Sequence, residues 1–172
     1  MIFKNHVTGL QPCSEKHWRN TIDWLEEFVT QLAEESCEAV REDIRERGDG
    51  QRWVALYDGF YLTRGHYSNN SSATLHDYET GKVAWFVHWT KKGKNHNWEG
   101  TSGGAEGDMF DEVLKKARDA NFNVKEIVTD KDSSVKSIYL QHFPEGIVTF
   151  CSNHCSKTFH KDLQKIKQGS VR

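Results

Sequence analysis

One stretch limits what this chain can become more than any other: Trp53-Val54-Ala55-Leu56-Tyr57-Asp58-Gly59-Phe60-Tyr61-Leu62. β-branched and aromatic residues follow one another almost without a polar break, which predicts a buried central strand. Asp58 is the exception, followed at once by Gly59. A carboxylate buried in such a strand is costly unless a cation or a set of donors meets it, or unless the strand ends at an open edge. A second carboxylate stands in the same setting, Asp130 at the end of Val124-Lys125-Glu126-Ile127-Val128-Thr129. Acids at the ends of two neighbouring apolar strands can share a divalent metal.

At 172 residues the chain suits one domain with a substantial core. Only 36% of residues are hydrophobic, but 12% are aromatic and six are Trp, and large rings bury large areas. A net charge of −2 and a pI near 6.5 do not announce a nucleic-acid binder. Four cysteines, Cys13, Cys37, Cys151 and Cys155, show no disulfide-framework spacing, and residues 1–13 do not read as a secretory leader. The longest apolar runs are a few residues, too short to cross a membrane. These features predict a soluble, intracellular, reduced protein.

After a loose lead-in, Ser14 caps a long helix that stops at Gly48. Trp18, Ile22, Leu25, Val29 and Leu32 fall at steps of three and four on one face. Residues 14–47 carry ten acids against five bases, a strongly acidic flank that reads as solvated surface. Past the Gly48-Asp49-Gly50 break come the Asp58 strand, an alternating strand at 71–78, and a third at 82–89 after Glu79-Thr80-Gly81. The loop at 90–101 holds Lys91, Lys92 and Lys94, exposed bases able to touch phosphate or simply solvent. Ser102-Gly103-Gly104 opens a helix with Met109, Phe110, Val113, Leu114 and Ala117 as its buried stripe. The Asp130 strand follows, then a helix ended by Pro144 with Val135, Ile138 and Tyr139 inward, and a fifth strand at 146–150. A last helix at about 153–167 turns Phe159, Leu163 and Ile166 inward and carries Lys157, Lys161 and Lys165.

The order is α, β-β-β, α, β, α, β, α. A meander followed by alternating helices and strands predicts a mixed α/β sheet with helices on both faces. Right-handed crossovers put the fourth strand beside the first and parallel to it. The expected strand order is 3-2-1-4-5, the ribonuclease H-like fold, over residues 51–172. Residues 1–50 form a preceding part made of the lead-in and the acidic helix. This topology brings Asp58 and Asp130 to one edge of the sheet, where two-metal phosphoryl transfer is done.

Several local stretches then resemble one family. Asp58-Gly59-Phe60-Tyr61-Leu62-Thr63-Arg64-Gly65-His66 with Glu79-Thr80-Gly81-Lys82-Val83 is similar to the opening strands of animal Mutator-like transposases. Asn95-His96 and Gly100-Thr101-Ser102-Gly103-Gly104-Ala105-Glu106 resemble the family's Asn-His and Ser-Gly-rich helix start. Thr129-Asp130-Lys131-Asp132-Ser133-Ser134-Val135 resembles its second-aspartate segment, and Cys151-Ser152-Asn153-His154 its Cys-x-x-His motif. The resemblance covers roughly residues 51 to 167. It implies that Asp58 and Asp130 belong to a catalytic acid triad holding Mg²⁺ or Mn²⁺ in a two-metal site. It implies cleavage and strand transfer on DNA at transposon ends, nuclear residence, and self-association as an open question.

Two departures accompany the resemblance. The cysteine cluster common in the family before the Asn-His segment is missing from residues 89–97. The family's third acid, a glutamate on a later helix, has no counterpart before Arg172, so a truncated domain whose activity alone is in question is expected. Glu106 is the substitute candidate, in the first turn of the helix between strands three and four. An acid is also favoured there simply by the helix dipole. Cys151, His154, Cys155 and His160 are zinc-type ligands, but all lie within ten residues at the start of one helix, whereas structural zinc sites draw on two segments. Two rival readings remain: a non-catalytic, domesticated remnant that binds DNA or protein, and a different nuclease of the same fold using Asp58, Glu106 and Asp130.

Overall fold

The computed structural model describes residues 14–62, 68–93, 96–130 and 133–167. The chain divides into two compact units, Met1–Ser36 and Cys37–Arg172. Helix α1 (Glu15–Glu46) supplies the described part of the first unit and begins the second with its last turns. Ser14 Oγ accepts from the His17 backbone N–H at 3.2 Å, satisfying one of the free amides of the first turn. At the other end Gly48 takes φ 78°, the left-handed conformation that stops a helix without Cβ strain.

The second unit holds β1 (Trp53–Tyr61), β2 (Asn70–Asp77), β3 (Val83–Thr90), α2 (Ser102–Asp119), β4 (Val124–Thr129), α3 (Ser133–His142), β5 (Ile147–Phe150) and α4 (Ser152–Lys167). The five strands form one sheet in the order β3-β2-β1-β4-β5. β1–β2 and β2–β3 are antiparallel, while β1–β4 and β4–β5 are parallel. That is the mixed sheet of the ribonuclease H-like arrangement read from the sequence.

Burial alternates along the meander. Trp53, Ala55 and Tyr57 of β1, Ala73, Leu75 and Asp77 of β2, and Trp85 and Val87 of β3 are buried. They meet Met109, Phe110, Val113, Leu114 and Ala117 of α2, the stripe the sequence predicts. Trp53, Trp85 and Phe122 pack with centroids 4.8 to 5.8 Å apart, and Tyr57 lies 4.3 Å from Phe110. The last turns of α1 add Cys37, Val40 and Ile44 to the buried set. Arg41 is buried with them because its guanidinium lies over Trp85 and donates to the Ala84 carbonyl and to Glu38. Alternate positions, Val54, Leu56 and Asp58 in β1 and Ser72, Thr74 and His76 in β2, lie on the opposite face and stay half-buried or exposed.

Asp58 is exposed, the open-edge alternative, because it lies on the face of β1 opposite the buried Trp53, Ala55 and Tyr57. One expectation needs correction. Phe159, Leu163 and Ile166 of α4 do not face inward; they are 66%, 47% and 63% exposed. Their neighbour β5 has four residues and is itself mostly exposed, so it offers this helix little apolar surface. Thr63-Arg64-Gly65-His66, Lys94, Asn95, Lys131 and Asp132 lie outside the described residues, as do the side chains of His154 and Cys155.

Candidate functional site

The parallel pairing of β1 and β4 runs Ala55↔Ile127 and Leu56↔Val128. Carried two residues further, this register sets Asp58 opposite Asp130. Paired strands lie about 4.8 Å apart, so the two acids stand on neighbouring strands, on one face and at one end of the sheet. Both are exposed, and neither bears the desolvation cost of a buried carboxylate.

On β2 and β3, next to Asp58, that face carries hydroxyl, imidazole and aromatic side chains. Thr74 is opposite Asp58 on the other side of β1, and its Oγ1 donates to the Asp58 carbonyl at 3.2 Å. The same hydroxyl is 2.9 Å from His76 Nε2. One row further along, Phe60 pairs with Ser72, and Ser72 with His88; Ser72 Oγ and His88 Nδ1 are 2.8 Å apart. Phe60 is half exposed. These hydroxyl–imidazole pairs were not anticipated. Their signal is period-two alternation, Ser72-x-Thr74-x-His76 against Phe86-x-His88, which only the strand register turns into neighbours.

Glu106 is held on the other face of β1. The Tyr57 hydroxyl donates to its carbonyl at 3.4 Å, and the Tyr61 hydroxyl to its Oε2 at 3.5 Å. Gly59 leaves the strand surface open between those tyrosines, and a Cβ there would lie 3.7 Å from Glu106 Oε1. Burial first, and then the negative charge of Glu106, raises the Tyr61 hydroxyl above the ordinary phenol range. Extended past its last pair, Leu56↔Val128, the register sets Asp58 opposite Asp130, while Glu106 lies on the other face of β1. Among the described residues, no three His, Cys, Asp or Glu side chains are grouped to hold a metal ion.

The bases fall in two places. Lys91 is half-buried and Lys92 exposed at the start of the loop after β3. That loop is fixed by Asn97, which accepts from the Thr90 N–H at 2.8 Å and donates to the His88 carbonyl at 3.0 Å. It is fixed again by Trp98, stacked on Trp89 at 4.3 Å. Lys157, Lys161 and Lys165 are exposed along α4, the last paired with Asp162 at 3.0 Å. Cys151 is half-buried, and its N–H donates to the Thr129 carbonyl at 2.8 Å, tying the end of β5 to the end of β4 beside Asp130. No helix among the described residues is long and apolar enough to cross a membrane.

Among solved structures, ribonuclease H1 from the archaeon Halobacterium salinarum is similar at 18% identity and a TM-score of 0.37, covering 58% of this chain and 84% of that one. The N-terminal ribonuclease H domain of a Mycobacterium tuberculosis protein, solved as a fusion with maltose-binding protein, is similar at 11% identity and a TM-score of 0.36, covering 58% and 82%. No curated protein sequence matches the chain. The family described as Mutator-like transposase matches residues 8–172, taking in α1, the whole sheet and both aspartates, and to that family the chain belongs.

Proposed function

We propose that this chain is the phosphoryl-transfer domain of a DNA transposase, with Asp58 and Asp130 as its metal-holding acids. The observation that supports the reading is the strand register: extended two residues past Leu56↔Val128, it would bring the two exposed carboxylates opposite each other. The donor set fits Mg²⁺, which takes one or two carboxylates, keeps several waters and accepts substrate phosphates as further ligands. Bound there, the ion would activate a water or a DNA 3′-hydroxyl and offset charge on the scissile phosphate. The protein's part would be to hold both carboxylates in place. The β1–β4 pairing just before them would set their spacing, and the Thr74 hydroxyl anchors the backbone at Asp58. Exposure leaves room for a DNA backbone to approach.

Glu106 enters this reading as the candidate third acid, bonded to Tyr57 and Tyr61 beside Gly59 on the other face of β1. The bases of α4 and of the loop after β3 would bind flanking phosphates without reading sequence. The separation of Glu106 from the aspartate pair favours the second reading, a non-catalytic module that binds DNA or protein.

Thermal denaturation with and without Mn²⁺ separates the two. The catalytic reading expects the ion to raise the midpoint of the parent and leave Asp58→Asn and Asp130→Asn unmoved. It also expects nicking of supercoiled DNA by the parent, lost in either variant. An ion that leaves the parent's midpoint unchanged, with no nicking, overturns it.

A further inference from the structure

The first unit carries a surface that the proposed chemistry does not use. Trp18, Ile22, Leu25, Val29 and Leu32 of α1 are each between 37% and 58% exposed. A contiguous row of five large apolar side chains is not what a solvated helix shows. Their spacing is four, three, four, three. This is the 3.5-residue period at which one helix meets another along a seam, and it differs from the broader stripe of a helix packed on a core. Ile22 and Val29 occupy one row of the seam, and Trp18, Leu25 and Leu32 the other. Phe28, half exposed, flanks the seam and stacks on Trp24 with centroids 6.0 Å apart.

The charge along this helix selects the occupant. Lys16 and Arg19 stand near its start, whereas residues 23–35 hold Asp23, Glu26, Glu27, Glu34 and Glu35 and no base. A lipid surface is a poor match, because helices that lie on membranes carry Lys and Arg along the polar face. A second copy of the same helix laid in reverse is a good match, since the basic start of each then lies along the acidic part of the other.

We propose that residues 18–32 of α1 pair with the same residues of a second copy of this chain as an antiparallel two-helix seam. In the register that best joins the charges, Trp18 of each copy faces Val29 of the other, and Ile22 faces Leu25. Arg19, which reaches Glu15 within its own helix, then lies beside Glu26 of the second copy, twice over by symmetry. Phe28 covers the flank next to Thr21 of the second copy.

Sedimentation equilibrium of the full chain over a concentration series tests this. The parent is expected to move from monomer to dimer as concentration rises. Leu25→Asp with Val29→Asp should hold it monomeric, with a cooperative urea-unfolding transition showing that the second unit stays folded. Arg19→Glu alone should weaken the dimer at least several-fold, and adding Glu26→Arg should restore it. A chain that is monomeric throughout, its stripe covered by its own surface, overturns the proposal. So does a dimer that tolerates the paired aspartates, or a charge swap that restores nothing.

Discussion

Asp77 closes β2 with a carboxylate that is 2% exposed and met by four donors. Trp53 Nε1 donates to Oδ1 at 3.0 Å; Arg47 Nη2, the Thr80 N–H and the Thr80 hydroxyl donate to Oδ2 at 3.0, 3.1 and 2.7 Å. Burial works to raise its pKa, but the bonds from Thr80, Trp53 and Arg47 outweigh it and hold the carboxyl below the usual aspartate range. One side chain thus ties the end of α1, the start of β1 and the β2–β3 turn. Asp77→Ala strands the buried Trp53 donor while the half-buried Arg47 keeps Glu79, and should cost about 1–3 kcal/mol in urea unfolding. The depressed pKa adds a pH signature. Its stabilisation is complete above the unfolded-state pKa and is lost as pH falls through the lower folded value. The parent should therefore lose stability on the acid side more steeply than Asp77→Ala; equal slopes would count against this role. Nothing in the sequence marked Asp77: it falls within the alternating strand read at 71–78, and alternation does not reveal which donors will meet a polar side chain in a strand. Asp58 shows the converse. Its apolar neighbours left a cation, a set of donors or an open edge as alternatives; side chains alternate across a strand, and its own position lies on the open face.

Among the elements, the strands were the most legible. β4 is observed at Val124–Thr129, the stretch read from the sequence, and β1, β2, β3 and β5 differ from their expected limits by a residue or so. Short apolar runs between Gly-rich or polar turns leave little choice of register, since a one-residue slip would expose the buried rings. Helices were legible as amphipathic but not as to what they face. The stripe of α2 finds the sheet, whereas the equally regular stripes of α1 and α4 are exposed, because periodicity defines a face and not its partner. Glu106 follows the same logic: its place on α2 was clear, but the side of β1 it would reach was not. α3 depends on one residue in particular. Tyr139 is fully buried, donates to the Val124 carbonyl at 2.7 Å and so locks the helix to β4. Burial pushes its pKa up to about 12, opposed by a hydrogen bond from Ile147 and helped by the charge of Glu126. For an acid whose folded pKa is raised, stability is complete below the unfolded value near ~10 and falls as pH climbs toward the folded one. Urea unfolding from pH 9 to 12 should show the parent losing about 2–3 kcal/mol more than Tyr139→Phe. The phenylalanine variant should start about 1 kcal/mol lower for its missing hydrogen bond. A variant with the same alkaline loss as the parent would remove Tyr139 as its cause.

On the scale of the whole molecule, a net charge of −2 hides a strong polarity. Residues 14–47 hold ten acids against five bases, while residues 151–172 hold five bases against Asp162 alone. Under the proposed function the acid pair would work on a polyanion, and two carboxylates repel one. Binding would then come from elsewhere on the chain, and α4 starts directly after β5, whose end is bonded to Thr129 next to Asp130. Lys157, Lys161 and Lys165 recur every four residues and so share one side of α4. If they contact DNA phosphates, each contact releases counterions, and the logarithm of affinity falls with the logarithm of salt by about 0.9 per contact. Replacing all three with Glu should weaken binding to any duplex alike and flatten that slope by up to about 2.7, whatever the base sequence. Asp58→Asn in the same titration should leave the slope unchanged, since it removes no cation. A triple variant with the parent's slope would show that the phosphates are met by other bases, and the loop holding Lys91 and Lys92 would be the next place to reverse.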